Sequence, residues 1–278
     1  MKDYLDHTFN PDDPELISIQ DELPFWSAPF GFSLLNTIRM KKNINVLDIG
    51  SGFGFPLLEV SQRLGKTCNV FGVDPWKPAI ERAEKKIKMY NLSNVKIIDC
   101  CAEKLPFEDS FFDLIISNNG INNVKDIPAV FNECSRVCKN GAQFVFTFNL
   151  DKTMIEFYDI YEKVLKENNM AEEIKILKRH IYEKRPPVKE ITNALKKAGF
   201  NNINVSENKF YYRFNDAESM FNYSMIKYWF LPPSKKVVPE NIREKIFIRI
   251  EEELNKIAAK KGEIILTVPF ATVDCEKN

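Results

Sequence analysis

One stretch constrains this 278-residue chain more than any other: Val46-Leu47-Asp48-Ile49-Gly50-Ser51-Gly52-Phe53-Gly54-Phe55-Pro56. Val46, Leu47 and Ile49 make the short apolar run of a buried strand. Glycines at three alternate positions then leave the backbone bare, and Pro56 stands where a first helical turn tolerates a residue without an N–H. A strand that breaks into a glycine turn and re-enters as a helix is a place where a ligand can lie against peptide groups.

The chain on either side repeats that strand–helix rhythm. Before it, an aromatic stretch takes helical spacing at Phe30, Leu34, Leu35 and Ile38. After it, residues 68–74 read as a second strand, and Pro78 opens a helix with Ile80, Ala83, Ile87 and Tyr90 on one face. Strands follow at 95–100, 112–117 and 144–148. Between the last two lies a helix that Asp126 caps, its connection closed by Gly141. Beyond residue 150, Asp151 stands as the cap of a helix, and a further helix ends at Gly199 as its C′ residue. Strands at 203–214 and 263–274 enclose a helix over 216–230, a break at Leu231-Pro232-Pro233 and a helix over 240–260. Repeated βα units of this length predict a Rossmann-like α/β fold, with a doubly wound, mostly parallel seven-stranded sheet. Residues 1–40 are expected to form a cap segment. Residues 41–278 form one domain with helical insertions at about 151–186 and 215–261.

Charge narrows the partners. The 39 basic and 39 acidic residues cancel, which argues against nucleic acid or an anionic membrane surface as the main partner. No apolar run approaches the length of a bilayer span, and the acidic start has no apolar signal-peptide core. Six scattered cysteines make no disulfide framework, so a cytoplasmic setting is expected. No metal site is expected.

Two ligand classes compete for the glycine turn. A dinucleotide fingerprint needs glycine at its first, third and sixth positions, and the sixth here is Phe55. The spacing that holds is Asp48-x-Gly50-x-Gly52-x-Gly54. It resembles the first motif of class I S-adenosylmethionine-dependent methyltransferases. Asp74, closing the second strand before Pro75, can accept both hydroxyls of a ribose. Cys101-Ala102-Glu103-Lys104-Leu105-Pro106-Phe107 resembles that family's adenine-side segment, and Ser117-Asn118 with the helix ending Cys134-Ser135-Arg136-Val137 follows in the family's order. The likeness spans about residues 40–150. It implies S-adenosylmethionine as cofactor, bound by Asp48, Gly50, Ser51, Gly52, Phe53, Gly54, Asp74, Pro75, Trp76, Cys101, Ala102, Glu103 and Asn118, with Asp48 helping to hold its amino group.

The acceptor side departs from the family. A His-His pair after the fourth strand is replaced by Asn122 and Asn123, and asparagine cannot act as a base at neutral pH. The Asn-Pro-Pro-Tyr pattern for exocyclic amines of nucleic acid is absent. Arsenite methyltransferases share the Ser-Asn pair but place a cysteine where this chain has Asn119. Methyl transfer from a sulfonium can proceed by alignment and water exclusion without a strong base. The candidates for a catalytic group are accordingly weak: His7, Asn119 and Asn123. His180 is expected on a solvated helix face. Trp26, Phe30, Asn119, Asn123 and Tyr223, the last on a helix apolar nearly all round, are expected to face a small apolar or aromatic acceptor. Rival readings are an S-adenosylmethionine-binding protein without methyl transfer, in a regulatory or scaffolding role, and a metalloid methyltransferase.

Overall fold

The computed structural model describes residues 2–6, 10, 12–22 and 25–278. In chain order, three helices come first: α1 (Asp3–Asp6), α2 (Pro14–Glu22) and α3 (Ser27–Thr37). Alternation follows through β1 (Asn45–Ile49), α4 (Leu57–Leu64), β2 (Asn69–Asp74), α5 (Lys77–Met89), β3 (Val95–Asp99), β4 (Phe112–Asn118), α6 (Ile127–Val137) and β5 (Cys138–Asn149). The remainder is α7 (Ile155–Glu167), α8 (Ala171–Lys184), α9 (Val188–Lys197), β6 (Phe200–Phe214), α10 (Ala217–Asn222), α11 (Leu231–Lys235), α12 (Glu240–Lys261) and β7 (Ile264–Lys277). Two compact units result. A sheet unit takes Pro11–Asn149, Pro186–Asn208 and Phe270–Asn278, and a helical unit takes Met1–Asn10, Leu150–Arg185 and Lys209–Pro269.

The seven strands order as β3-β2-β1-β4-β5-β7-β6. Strands β3, β2, β1, β4 and β5 pair in parallel, and β7 is antiparallel to β5. The order reverses at β1, whose neighbours are β2 and β4, and such a switch point opens a crevice at the carboxyl ends of the strands. Its position explains its composition. A central parallel strand is covered on both faces, so it is apolar without alternation. Val46, Leu47 and Ile49 are all buried, and Val46 shares one core with Leu34 of α3, Leu57 and Val60 of α4, and Ile116 of β4.

Local signals explain two of the helix ends in the sheet unit. The Asp126 side chain accepts from the Ala129 N–H at 2.9 Å and caps α6. Gly199 follows α9 at φ +89°, the left-handed turn that favours glycine. Two expectations are corrected. Tyr90 lies past the end of α5 and is exposed, so only Ala79, Ile80 and Ala83 are buried there, with Ile87 half-buried. Gly141 closes no connection, because α6 runs directly into β5. The glycine instead sits at φ +73° in a bulge where the pairing jumps from Phe112↔Cys138 to Leu114↔Gln143.

The helical unit is held by aromatic packing. Tyr4 stacks on Phe221 with centroids 4.6 Å apart and donates to Glu251 at 2.7 Å. Tyr161 is fully buried and donates to the Ser234 carbonyl at 3.0 Å. Asp151 is exposed and caps nothing; α7 starts after Met154, whose N–H donates to the Thr267 carbonyl of β7 at 2.7 Å. The single helix expected over 216–230 is broken at Tyr223, after which a π-helical turn spans Ile226–Phe230. Leu231-Pro232-Pro233 starts α11 instead of breaking a helix, since prolines in a first turn forfeit no intrahelical bond.

Candidate cofactor and acceptor site

The glycine turn joins β1 to α4 with all three glycines at positive φ, +73° at Gly50, +47° at Gly52 and +95° at Gly54. Their surroundings differ. A Cβ on Gly54 would meet Leu58 at 2.9 Å, so that glycine serves packing. One on Gly50 would stand 3.2 Å from the Cα of Gly120, so the loops after β1 and β4 meet glycine against glycine. One on Gly52 would meet nothing within 4 Å. Gly52 is therefore where the bare backbone faces open space. Phe55 fills the side of α3: a Cβ on Gly31 would stand 2.2 Å from its ring. That packing accounts for an aromatic at the place where a dinucleotide site carries its third glycine.

Two acids flank the turn from adjacent strands. Asp74, at the end of β2, spends one oxygen on the Gly52 N–H and the other on the Trp76 N–H, each at 2.8 Å. It thereby ties the glycine turn to the start of α5. Burial raises its pKa, and the two amides oppose that shift. Asp48 is fully buried in β1 opposite Gly72 and Ile116. Neither of its oxygens has a hydrogen-bond partner. Burial first, and the Asp74 charge second, hold its pKa well above the carboxylate range, and only the approach of the Leu57 amide pulls the other way.

The third side comes from the ends of β3 and β4. Ala102 is buried, Cys101 exposed, and Glu103 accepts from the Lys125 N–H at 2.9 Å, which links the segment after β3 to the loop after β4. Arg136 of α6 secures the same segment by donating to the Leu105 and Phe107 carbonyls at 3.0 and 2.8 Å. Trp76 is half-buried with its ring 5.1 Å from that of Phe53, and Pro75 is exposed. Asn118 is engaged at both ends: it donates to the Ser27 carbonyl at 3.1 Å and accepts from Thr147 at 3.1 Å.

Asparagines dominate the remaining edge. Asn119 takes φ +58° and its N–H meets Thr147, while its side-chain oxygen is buried without a partner. Asn123 is exposed and donates weakly to the Asn119 carbonyl at 3.4 Å; its neighbour Asn122 turns inward and accepts from the Asn149 N–H at 3.4 Å. The Asn149 side-chain oxygen is again buried without a partner. Gly120, Thr147 and Asn149 escape the sequence reading. Gly120 follows Asn118-Asn119 and offered a faint signal. Asn149 offered none, because only the β4–β5 register, Asn118↔Thr147, carries it to this edge.

One of the expected acceptor residues belongs to the core. Phe30 is fully buried against Phe270 at 4.6 Å, so its ring is core and presents no surface to an acceptor; Trp26, 5.3 Å from it, is half-buried. Tyr223 belongs to the helical unit, its ring 5.4 Å from Tyr212 and 5.5 Å from Phe214. His7 lies outside the described residues. His180 is half-buried on α8, not on a solvated face, and burial lowers its pKa. Cys134, Cys138 and Cys275 are buried thiols with raised pKa values, Cys138 pushed up to about 12. Such thiols are inert toward metals and electrophiles. Among the described residues no group of three or more His, Cys, Asp or Glu is placed to hold a metal ion.

Comparison with known proteins converges on one family. A family model described as a methyltransferase domain matches residues 40–218. Demethylmenaquinone methyltransferase of a Geobacillus species is 30% identical over 127 residues, 46% of this chain and 54% of the relative. The Listeria monocytogenes protein of the same name is 32% identical over 109 residues, 39% and 46% of the two chains. The chain thus spans about half the length of the curated relatives it matches. In fold it resembles the YcgJ protein of Bacillus subtilis, with TM-score 0.59 and 16% identity over 90% of this chain and 98% of the other. It also resembles phosphoethanolamine N-methyltransferase 2 of Haemonchus contortus, solved with S-adenosylhomocysteine, with TM-score 0.58 and 19% identity over 99% of this chain and 59% of the other.

Proposed function

Because the chain belongs to the class I S-adenosylmethionine-dependent methyltransferases, we propose that it transfers a methyl group to a small, apolar or aromatic acceptor. The observation that carries this reading is the set of unpartnered buried oxygens at the sheet edge. Asp48, Ser51, Asn119 and Asn149 all hold oxygen atoms with nothing to bond. Such groups are costly to bury unless a donor or a cation meets them. S-adenosylmethionine carries an ammonium and a sulfonium, and so fits this donor-poor edge. A pyrophosphate beside Asp74 would meet like charge instead.

The chain's residues then divide the work. Asp48 and the turn suit the amino-acid half of the cofactor. Asp74, already accepting two amides, keeps lone pairs for ribose hydroxyls. The segment at Ala102 and Glu103 is pinned by Arg136 and Lys125 in a way that suits a flat base. Pro75, Trp76, Cys101 and Asn118 would border the bound cofactor. When bound, the cofactor supplies a methyl group on a positively charged sulfur, ready for displacement. Asn119 and Asn123 would orient the acceptor by hydrogen bonds, and Trp26 would cover it. No strong base is required of them.

The names of the curated relatives support a small ring-bearing acceptor. Six free cysteines and no helix long and apolar enough to cross a membrane, among the described residues, support a cytoplasmic setting. Isothermal titration with S-adenosylhomocysteine tests the cofactor. Saturable binding is expected, and its absence sinks the reading. Transfer of labelled methyl from S-adenosylmethionine to a panel of phenols, quinols and aromatic acids tests the reaction. Binding without any labelled product would leave a binding protein in place of an enzyme.

A further inference from the structure

The helical unit holds an unsatisfied group of the opposite kind. Arg185 stands between α8 and Pro186-Pro187, where the following proline disfavours helix, and it leaves the helix at φ −144°, ψ 69°. Its side chain turns inward and is only 3% exposed. The guanidinium lies 4.9 Å from the centre of the Tyr158 ring, and Nη2 donates to the Tyr158 hydroxyl at 3.3 Å. Nε and Nη1 are buried with no partner.

A guanidinium cannot escape burial by losing its proton. It therefore keeps a full charge and unspent donors. Lys163 and Arg213 of the same unit, by contrast, sit at the surface and are paired with Glu253 and Glu263. Among the described residues no carboxylate lies within ion-pair distance of Arg185. Burial, and after it the Arg185 charge, lowers the His180 pKa, with Glu183 opposing.

We propose that Arg185, with the Tyr158 hydroxyl beside it, is the recognition point of the helical unit for an anionic group, a carboxylate or a phosphate, on a small molecule. Tyr158 extends the specification. Besides carrying Arg185, it lines an apolar crevice with Met154, Phe157, Phe221 and Leu231, nearly closed at about 10 Å³. An acid with an apolar body suits the pair.

The test uses the full chain with benzoate and phenyl phosphate as probes and benzamide as the uncharged control. Melting is followed at constant ionic strength, with and without S-adenosylhomocysteine. Both anions are expected to raise Tm saturably, and benzamide is not. Arg185→Met is expected to weaken the response at least tenfold, and Tyr158→Phe by roughly threefold. The ligand-free Arg185→Met protein is expected to melt no lower than the wild type, whereas loss of a purely structural arginine would lower its Tm. Equal responses to benzoate and benzamide, or an undiminished response in Arg185→Met, overturn the proposal. Should that variant not fold, Arg185→Lys decides in its place. A weakened but retained preference for the acid supports the site, and an unchanged affinity overturns it. Titration of S-adenosylhomocysteine into the same samples separates the two claims. If it binds and the anions do not, only the anion site falls; if the anions bind and it does not, the methyltransferase reading falls.

Discussion

The carboxyl edge of β1, β4 and β5 and the Arg185 position in the helical unit are both buried and both incompletely hydrogen-bonded, but with opposite sign. At the sheet edge the unsatisfied atoms are oxygens, on Asp48, Ser51, Asn119 and Asn149. At Arg185 they are N–H donors on a permanent cation. Buried polar groups without partners are destabilising in the free protein, so each set is most simply understood as held for a ligand of complementary charge. The lesson is one of sign: the first region calls for a cation or donor, the second for an anion.

The strongest way to break this contrast is at Asp74, whose two oxygens organise the turn. Asp74→Ala should weaken S-adenosylhomocysteine binding by about 100-fold or more in calorimetry, as the proposed charge-assisted bonds to the ribose hydroxyls, about 1.5–3 kcal/mol each, are lost, and the turn also loses its two amide ties. Next is the open face of the turn. Gly52→Ala puts a Cβ where nothing stands within 4 Å, so folding should lose only the left-handed strain of about 1–2 kcal/mol, while cofactor affinity falls roughly tenfold. Gly54→Ala, which pushes on Leu58, should do the reverse and lower Tm more than affinity.

Asp48 sharpens the contrast through pH. Its folded pKa lies above the ordinary 3.8, so the folded chain holds its proton where the unfolded chain has lost it. Ligand-free stability should therefore fall as pH rises from 3.8 through the raised value, and be greatest on the acid side of that window. Asp48→Asn should flatten that slope, leaving the part due to Asp74, which is raised in the same direction. At neutral pH the variant should melt above the wild type by about 1–3 kcal/mol of stability and bind the cofactor less tightly. Denaturant titrations across pH read the first effect and calorimetry the second. The smallest effect belongs to Glu103→Ala, which frees the Lys125 N–H and should cost about 1 kcal/mol, a few-fold in affinity.

Much of the site was legible because its signals are local. The glycines mark positions where the backbone takes positive φ, and Asp48 and Asp74 stand at fixed offsets from the turn and the strand end. Asp126 and Gly199 announced their helix ends by the same kind of local chemistry. The acceptor side was legible only in part. Phe30 read as a cavity aromatic because an apolar helical face looks the same whether it lines a cavity or packs a core. Its actual neighbour, Phe270, is distant in sequence.

By itself the sequence determined the alternation of strands and helices, the bare turn after β1 and the two acids that flank it, since each depends on conformation within a few residues. Only the tertiary structure decided that Gly120 meets Gly50, that Asn149 joins Asn119 at one edge, and that Arg185 turns inward onto Tyr158 with its charge unmatched. The reason is physical. Whether a polar side chain is satisfied depends on register and packing between segments far apart along the chain, and no local spacing encodes that.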